Sequence, residues 1–424
     1  MADTTDTPAS THRTRVLMTT STLPRWEGDT EPRFVLDLAR SLDAQCDVEL
    51  LAPHAPGAAR RETLEGVAVS RFRYWIPAWQ AAAYEGGMVQ RLRRRPWRVL
   101  QLPIFLLSQT LAIARRLRRK SDVDLIHAHW IVPQGLAAII GRALAGKPDV
   151  PILCTSHGGD LFGLQKGWMQ RLKRWIVSRC DATTVVSEAM VAPMQTLGSR
   201  HPPEVIPMGT DLQGLFTPGG KTSTRREPNH LIFVGRLVEK KGVHVLLDAL
   251  AMFDADKRPD LDIVGEGPLR PALEERVRKL GIEPSVRFVG AIPHSRLPEY
   301  YRRASVAVFP FVQASDGDQE GFGLVMVEAM GCGCAVIASD LPAVRQVIPT
   351  TEHAVLSPPF DHQALFEQIR RTLEDPEHRA QIALQGRRFV LERFDRDVTR
   401  DAFACLYQTL ASPGTNKTSH SPDR

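Results

Sequence analysis

The chain has 424 residues, of which 43% are hydrophobic and 24% are charged, and its formal net charge is +6. This composition is close to the average of globular proteins and excludes an intrinsically disordered chain and a low-complexity polymer. No apolar run reaches the roughly 20 residues of a membrane span, and residues 1–13 lack the apolar stretch of a secretory signal. The six cysteines have no regular spacing, so we expect a reduced, cytoplasmic protein.

Between two polar tails that we expect to be disordered, residues 1–13 and 413–424, short apolar runs alternate with helical patterns. The first half has an amphipathic pattern from Phe34 to Leu42 that predicts a helix. Its predicted strands begin at Arg15, Asp47, Asp124, Pro151, Ala182 and Glu204. Alternating strands and helices are typical of a parallel sheet with helices on both faces. Residues 14–212 are therefore the first predicted domain.

Residues 213–228 are rich in Gly, Pro, Thr and charge, which predicts a linker. The alternation then restarts, with predicted strands that begin at Leu231, Leu261, Val286, Val306 and Ala335. A second domain is predicted at residues 229–394, followed at residues 395–412 by a C-terminal helix that could cross back onto the first domain. The predicted class is α/β, with two Rossmann-like βαβ domains that face each other across a cleft. Ligands of such sheets bind at the carboxyl ends of the strands.

Residues 316–330 carry the most informative motif. Glu320 and Glu328 are eight positions apart, and Gly321 and Gly323 stand at a predicted loop-to-helix transition. Carboxylates accept hydrogen bonds from hydroxyl groups, and the free N–H groups of a helix N-terminus favour an anionic or hydroxylated ligand. The alternative is a capped amphipathic helix with two solvated glutamates. However, the neighbours of Glu328 are apolar, and an unpaired carboxylate would be costly there.

The segment GRLVEKKG, residues 235–242, follows a predicted strand and opens a predicted helix. Arg236 offers a planar fork, Lys241 a point charge and the helix end its N–H groups, which together suit a diphosphate. Ordinary surface cations are the alternative. Other glycines at strand-to-helix turns are candidate contacts of a nucleotide: Gly28, Gly235, Gly265 and Gly267.

A third segment, TSHGGDLFG at residues 155–163, ends a predicted strand at His157, so this side chain is expected to point toward the cleft. Asp160 would either cap the next helix or contact a ligand. His127 and His129 are two positions apart on a predicted strand and face the same side. No Cys, His and carboxylate cluster completes a metal site in the sequence, so we expect neither a metal nor a cofactor.

In this order and spacing, five segments resemble the family 4 glycosyltransferases of GT-B fold: SHGGD, IPMGTD, FVGRLVEKKG, VGEGP and EGFGLVMVEAMGCGCAVIASDLPAVRQVI. The resemblance covers the chain from about Arg15 to Phe394. It implies a retaining, metal-independent hexosyltransferase that uses a nucleotide-diphosphate sugar, GDP-mannose or a UDP-hexose. It also implies that the first domain binds the acceptor, which makes His127, His129 and Asp160 candidates for the acceptor side. We expect a glycan or lipid-linked acceptor in the synthesis of a cell-envelope polysaccharide or glycolipid.

The resemblance also implies a role for each matching residue. Glu328 would hold the donor ribose, Glu320 would lie beside the reacting end of the sugar, and His157 would contact the sugar. The residues with an implied catalytic role are His157, Arg236, Lys241 and Glu320. Of these, Arg236 and Lys241 would neutralise the leaving diphosphate. Those with an implied role in donor binding are Gly28, Gly235, Gly265, Gly267, Gly321, Phe322, Gly323, Leu324 and Glu328. Many members have a Gly-Gly pair where this chain has Gly28 and Asp29, so the chain departs from the family pattern in that loop.

Basic residues cluster in the first predicted domain. No acidic residue occurs between Glu85 and Asp122, and a second acid-free stretch runs from Asp160 to Asp181. The segment from Arg91 to Lys120, with its apolar run at residues 102–114 and tryptophans nearby, suggests docking to an anionic surface, peripherally at the inner face of the plasma membrane. An ordinary solvated basic face is the alternative.

Three other functions compete with glycosyl transfer. A nucleic-acid-binding protein would explain the basic stretches but not the paired glutamates and the cleft histidine, so we expect no nucleic-acid partner. A sugar-nucleotide epimerase or hydrolase of the same fold would consume the donor without an acceptor. A catalytically inactive relative would lack site residues, and all the expected ones are present in this sequence.

Overall fold

The computed structural model of the chain describes residues 13–76, 80, 84, 100–119, 122–163, 165–220 and 226–412. Apart from Arg13, both predicted tails lie outside these residues, as does most of the basic segment before Leu100. The described residues form two α/β domains, each built on its own sheet.

The first sheet has eight strands in the order β3-β4-β2-β1-β5-β6-β7-β8. The strands are β1 (Thr14–Thr19), β2 (Cys46–Pro53), β3 (Arg61–Leu64), β4 (Val67–Phe72), β5 (Leu125–His129), β6 (Ile152–Ser156), β7 (Ala182–Val185) and β8 (Glu204–Val205). All neighbouring strands are parallel except β3 and β4, which are antiparallel. The strict alternation predicted for this half is wrong at that point, because β3 and β4 form a hairpin with no helix between them.

The second sheet has six parallel strands in the order β11-β10-β9-β12-β13-β14. The strands are β9 (Glu227–Val234), β10 (Asp260–Val264), β11 (Val286–Gly290), β12 (Ala304–Phe309), β13 (Ala335–Ser339) and β14 (Val355–Ser357). β9 begins inside the predicted linker, because its first residues, Glu227 and Pro228, come before the apolar run that predicted the strand. The sequence analysis also missed the three-residue strand β14.

Helices connect these strands. They are α1 (Phe34–Ser41), α2 (Gln101–Arg119), α3 (Leu136–Ala145), α4 (Gly159–Phe162), α5 (Gly167–Val177), α6 (Val191–Thr196), α7 (Val243–Ala251), α8 (Arg270–Leu280), α9 (Leu297–Arg303), α10 (Leu324–Gly331), α11 (His362–Glu374), α12 (Pro376–Phe394) and α13 (Arg396–Ala411). Among the residues that the structure describes, no helix is both long enough and apolar enough to cross a bilayer.

Local sequence explains several of the helix ends. The carboxylate of Asp361 accepts a hydrogen bond from the backbone of Ala364 at the start of α11, and Asp375 caps α12 in the same way just before Pro376. At the other end, Gly146 after α3 and Gly281 after α8 take the left-handed conformation that lets a helix stop. Gly146 and Gly281 therefore end the crossover helices that precede β6 and β11.

The helix α13 lies on the first domain. Its residues Phe403, Ala404 and Tyr407 are buried in the same apolar cluster as Val35 and Leu36 of α1. Asp395 separates α12 from α13, and its carboxylate accepts hydrogen bonds from the backbone N–H groups of Asp397 and Leu212. The chain therefore returns to the first domain after completing the second.

A buried cluster joins the two domains. It includes Ile176 of the first sheet's helical layer, Phe216 from the connection and Phe309 of the second sheet. Phe216 lies in the predicted linker, yet its side chain is fully buried beside Tyr301 and His294. The carboxyl ends of β6 and of the second sheet thus meet in a fixed arrangement, with their loops in contact.

Candidate active site

Two of the predicted segments meet in the second domain. The turn between β9 and α7 supplies Lys241, and the loop between β12 and α10 supplies Glu320. Lys241 Nζ lies 2.6 Å from Glu320 Oε2, and Lys240 Nζ lies 3.1 Å from Asp318 Oδ1. Lys241 also lies over the ring of Phe311, 4.5 Å from its centroid. The sequence therefore places a paired cation and carboxylate at the carboxyl edge of the second sheet.

Glu320 is ionised at neutral pH in spite of its burial. Burial by itself raises the pKa of a carboxyl group, but the charges of Lys241 and Lys240 outweigh it and hold the pKa of Glu320 at about 2. Both Lys241 and Glu320 keep 13% of their side-chain surface exposed. The pair can therefore reach a ligand while each member neutralises the other.

Arg236 belongs to the same turn and faces the first domain. Burial lowers the pKa of its guanidinium, while the carboxylates of Glu31 and Asp318 act in the opposite direction. Glu31 belongs to the loop after β1 in the first domain, whereas Asp318 belongs to the loop that carries Glu320. Arg236 is thus a half-buried cation between the loops of the two domains.

The predicted glycines of the second domain pack closely against backbone. A Cβ atom at Gly265 would lie only 2.0 Å from the carbonyl oxygen of Gly235, and one at Gly267 would lie 2.4 Å from that of Leu237. Gly265 also has φ of +132°, which other residues rarely adopt. These glycines let the turns after β9 and β10 pack together. Their contact with a nucleotide stays a prediction.

Glu328 is buried on α10 but has partners. His294 Nε2 lies 3.0 Å from Glu328 Oε1, and the hydroxyl of Tyr301 lies 3.4 Å from Oε2. The alternative of a solvated glutamate is therefore wrong for this residue. The sequence analysis missed His294, although it follows Gly290, the last residue of β11, at the kind of strand-to-helix turn that supplied the other candidates. Burial lowers the pKa of His294, but Glu328 more than compensates, and the pKa is raised overall.

The loop between β6 and α4 reaches the second domain. A Cβ atom at Gly158 would lie 2.7 Å from Gly321 Cα, and the hydroxyl of Ser187 donates to the carbonyl of Gly321 at 2.9 Å. Gly323 takes φ of +87° just before α10. The side chain of Phe322 is buried against Phe394, so only its backbone is left to meet a ligand, as the resemblance implies. The next residue, Leu324, is the first of α10 and is half-buried.

His157 lies beside His129. Their Nε2 and Nδ1 atoms are 3.0 Å apart, and the rings are nearly parallel. Burial lowers the pKa of His157 to about 3 and the pKa of His129 well below its usual range, so both rings are neutral at pH 7. Neither ring can act as a permanent cation toward a ligand.

The structure does not support two of the acceptor-side candidates. His127 is fully buried, with its two ring nitrogens 2.7 Å from the hydroxyls of Tyr407 and Thr155. Asp160 is also buried and accepts hydrogen bonds from Ser156 and from the backbone of Ile131. Both side chains have internal partners that hold the loops in place, which makes them structural residues.

The first loop closes on itself through the residue that departs from the family pattern. The carboxylate of Asp29 accepts hydrogen bonds from the backbone and the guanidinium of Arg25. The neighbouring Gly28 has φ of +79°, and a Cβ atom there would meet no other atom within 4 Å. Space for a ligand therefore remains above Gly28.

A cavity of about 850 Å³ opens between the first domain, the connection to the second, and the start of α13. Of the predicted site residues, Gly28, His129 and His157 line it, and so does His294. Arg236, Lys241, Glu320 and Glu328 do not line this cavity, although His294, a hydrogen-bond partner of Glu328, does. Within the described parts of the chain, no group of three or more His, Cys, Asp or Glu side chains could hold a metal ion.

The stability of the protein is expected to fall as the pH falls from about 6.5 to 5. Burial keeps His127, His129 and His157 neutral, with the pKa values of His127 and His157 at about 3. In the unfolded chain their pKa is about 6.5, so below that pH the unfolded state binds more protons and is favoured. His294, with its raised pKa, opposes this as a single group.

Thermal unfolding at pH 7 and pH 5 measures this effect. The variant His127→Gln removes one of the three groups and should show a smaller difference between the two midpoints. Equal midpoints at the two pH values in the unmodified protein would contradict the neutral, buried state of these rings.

Comparison with known protein families gives two matches. The model of the Glycosyltransferase Family 4 matches residues 32–213, and that of Glycosyl transferases group 1 matches residues 220–389. Together they span both domains, and the junction between them falls in the connection that contains Phe216.

Three curated relatives are similar along most of the chain. A phosphatidyl-myo-inositol mannosyltransferase of Mycobacterium leprae is 28% identical over 90% of this chain and 93% of its own. A glycogen synthase of Mycobacterium tuberculosis is 28% identical over 67% of this chain and 68% of its own. A GDP-mannose-dependent alpha-(1-6)-phosphatidylinositol monomannoside mannosyltransferase of Mycolicibacterium smegmatis is 25% identical over 76% and 85%.

Solved structures share the fold. A sucrose-phosphate synthase from Thermosynechococcus elongatus superposes with a TM-score of 0.72 at 23% identity, covering 94% of this chain and 99% of the other. The Anabaena protein HepE in complex with UDP and glucose superposes with a TM-score of 0.69 at 18% identity, covering 94% and 100%. At these identities the likeness shows the two-domain architecture alone.

Proposed function

Because the chain belongs to the group 1 glycosyltransferases of family 4 and has the GT-B fold, we propose that it transfers a hexose from a nucleotide-diphosphate sugar to a hydroxyl group with retention of configuration. The observation that carries the proposal is the meeting of Lys241 and Glu320 at 2.6 Å beside the half-buried Arg236. The donor sugar would lie between this pair and the loop of His157.

The donor diphosphate is proposed to bind at Arg236 and Lys241. Glycosyl transfer builds negative charge on the leaving diphosphate, and fixed positive groups that face this charge lower the barrier. Arg236 is well suited because burial removes the water that would otherwise screen it. Lys241 is held by Glu320, so an arriving diphosphate would share its ammonium group with that carboxylate, and Glu320 would turn its other oxygen to sugar hydroxyls.

The donor ribose is proposed to bind at Glu328. In the structure this carboxylate accepts a hydrogen bond from His294 and lies within hydrogen-bond distance of the hydroxyl of Tyr301. Ribose hydroxyls would take the place of one of these partners, and the swap leaves the buried charge hydrogen-bonded throughout. Among donors, GDP-mannose and UDP-hexoses are favoured because one curated relative is GDP-mannose-dependent and HepE was solved with UDP.

The test of this proposal is a transfer assay. The protein would be incubated with UDP-glucose, UDP-N-acetylglucosamine or GDP-mannose and a glycolipid extract, and both sugar incorporation and nucleotide release would be followed. We expect incorporation from one donor, with the anomeric configuration of that donor preserved in the product by NMR. Nucleotide release that is independent of the extract would instead point to a hydrolase or epimerase, and an inverted product would exclude retention.

The acceptor is proposed to be reached from an anionic membrane surface. On α5 the side chains of Trp168 and Trp175 are 62% and 38% exposed, although both are large and apolar. The cations Lys166, Arg171, Arg174 and Arg179 are exposed around them. We call this set the α5 surface. Aromatic rings flanked by cations suit the interface of an anionic bilayer. Lys173 from the same acid-free stretch is not part of it, since its ammonium group is buried against the carbonyls of Leu161 and Gly163.

The start of α2 adds a second exposed apolar patch, formed by Leu100, Ile104 and Leu107. Part of the positive charge of this helix is already neutralised, because Arg116 pairs with Glu49 and Asp122. The exposed cations Arg115, Arg118 and Arg119 remain near its end. Of the segment from Arg91 to Lys120, only residues 100–119 lie within the described residues.

Flotation with liposomes tests the membrane proposal. Vesicles that contain phosphatidylglycerol should carry the protein upward at low salt and release it at high salt, because screening weakens exposed charge interactions. The double variant Trp168→Ala, Trp175→Ala should float less, whereas Leu384→Ala, which removes an exposed apolar side chain from α12, should float normally. Failure of the unmodified protein to float at low salt would refute the proposal.

A further inference from the structure

We propose that His129 is a positioning residue whose hydrogen bond couples its own proton to that of His157, so that the two rings always offer a bound sugar one hydrogen-bond donor and one acceptor. This inference rests on the proposed function, because it assigns the ligand of the histidine pair to the sugar of the nucleotide donor. It adds a residue from β5 to the site that His157 forms at the end of β6.

The geometry ties the two rings together. His129 Nδ1 and His157 Nε2 are 3.0 Å apart, and the ring planes differ by 16° with centroids 5.3 Å apart. Both residues line the cavity between the domains. On the opposite sides of the rings, His129 Nε2 and His157 Nδ1 are buried and have no hydrogen-bond partner among the described residues.

The protons of the two rings are linked. Each ring is neutral at pH 7 and therefore carries one N–H group and one bare nitrogen. The shared hydrogen bond needs a proton on one side only. If His157 Nε2 donates, His129 carries its proton on Nε2 and His157 Nδ1 is a bare acceptor. If His129 Nδ1 donates, His129 Nε2 is the bare acceptor and His157 Nδ1 carries a proton.

The two nitrogens outside the shared hydrogen bond, His129 Nε2 and His157 Nδ1, therefore always form one donor and one acceptor. A hydroxyl group both donates and accepts, so neighbouring hydroxyls of an uncharged sugar can satisfy the pair in either state. A phosphate or carboxylate offers acceptors alone and would leave the bare nitrogen unpaired. The ligand chemistry that fits is thus a polyol.

The neighbouring His127 gives the contrast. Its ring lies against that of His129, with centroids 4.1 Å apart and the planes tilted by 34°, yet both of its nitrogens have partners in Tyr407 and Thr155. The ring of His127 is therefore satisfied within the fold. Buried polar atoms without partners carry a free-energy cost. Two such atoms in the coupled pair beside the cavity therefore point to a ligand that supplies the missing hydrogen-bond partners.

Binding measurements test the proposal. In the variant His129→Leu, we expect the affinity for UDP-glucose or GDP-mannose, whichever the unmodified protein binds, to fall about tenfold. The affinity for the matching UDP or GDP, which lacks the sugar, should not change. The variant His129→Asn keeps a polar atom near the position of Nδ1 and should recover part of the loss. Equal effects on the sugar nucleotide and the nucleoside diphosphate, or no effect on either, would overturn the proposal.

Nitrogen-15 NMR of the unmodified protein tests the same coupling without a variant. Signals of the two rings, assigned with His129→Asn, should show the same neutral tautomer in both, either Nε2–H in each or Nδ1–H in each. Opposite tautomers or a protonated ring at pH 7 would overturn the proposal, since neither allows the proposed pattern. If no nucleotide sugar binds, the proposed function fails, and this spectrum still decides whether the rings are coupled.

Discussion

The variant Arg236→Ala is expected to transfer sugar about 100-fold more slowly than the unmodified protein, or slower still, which is the scale of one lost preorganised donor. The guanidinium is half-buried between the loops of the two domains, near Glu31 and Asp318. Water that replaced it could not supply a fixed positive charge to the leaving diphosphate. The loss should appear mainly in kcat, because the charge on the diphosphate grows in the transition state.

The matched control is Arg278→Ala. Arg278 lies on α8, its side chain is 63% exposed, and its only partner given by the described contacts is Glu275 on the same helix. This variant should have normal kcat and KM. Steady-state kinetics of both variants with the same donor and acceptor make the comparison, and a normal rate in Arg236→Ala would remove the basis for placing the diphosphate at that turn.

The variant Glu328→Ala is expected to bind the nucleotide about 10- to 100-fold more weakly, the range that hydrogen bonds to a charged group support. Glu328 is the carboxylate proposed to hold the ribose, and no other carboxylate among the described residues lies within hydrogen-bond distance of His294 Nε2. Because UDP and GDP both contain ribose, the loss should affect the nucleoside diphosphate and the sugar nucleotide equally, unlike the loss expected for His129→Leu.

Two controls separate binding from folding in this case. Removal of Glu328 leaves His294 and Tyr301 without a buried partner, so the thermal midpoint of the variant must be measured beside its affinity. Glu275→Ala removes an exposed carboxylate from α8 and should change neither quantity. Unchanged nucleotide affinity in folded Glu328→Ala would place the ribose elsewhere.

The donor side of the site was largely predictable from the sequence. Lys241 and Glu320 are 79 positions apart, but each follows a strand of a parallel sheet, and the carboxyl ends of such strands lie at one edge. The burial of Glu328 followed from its apolar neighbours on α10. What the sequence did not supply was the partner of that carboxylate, because no local pattern shows that the turn of His294 packs against α10, 34 positions later.

The roles of the histidines were harder to predict from the sequence. His127 and His129 are equivalent by strand periodicity, and the prediction that they face the same side is consistent with ring centroids only 4.1 Å apart. Only His127 has both ring nitrogens hydrogen-bonded within the fold, and one of its partners is Tyr407 on α13, 280 positions later. No local pattern carries such information, since it depends on where the last helix returns.

The hairpin of β3 and β4 was missed for a different reason. Each strand is short, and the two are joined by Glu65 and Gly66, both with positive φ, as tight hairpins require. A pattern of alternating strands and helices predicts a helix between consecutive strands, so it does not predict an antiparallel pair. The hairpin lies at the edge of the first sheet. Glu65 in its turn pairs with Arg33, which precedes α1, and with Arg40 of α1, and all three residues line the cavity.

The central claim is that the cleft between the two domains binds a nucleotide-diphosphate sugar. Calorimetric titration of the purified protein with UDP and with GDP, in buffer that contains a chelator, tests it most directly. The account predicts that one of the two nucleotides binds and that this binding is weakened in Glu328→Ala but not in Glu275→Ala. Folded protein that binds neither nucleotide would contradict the account.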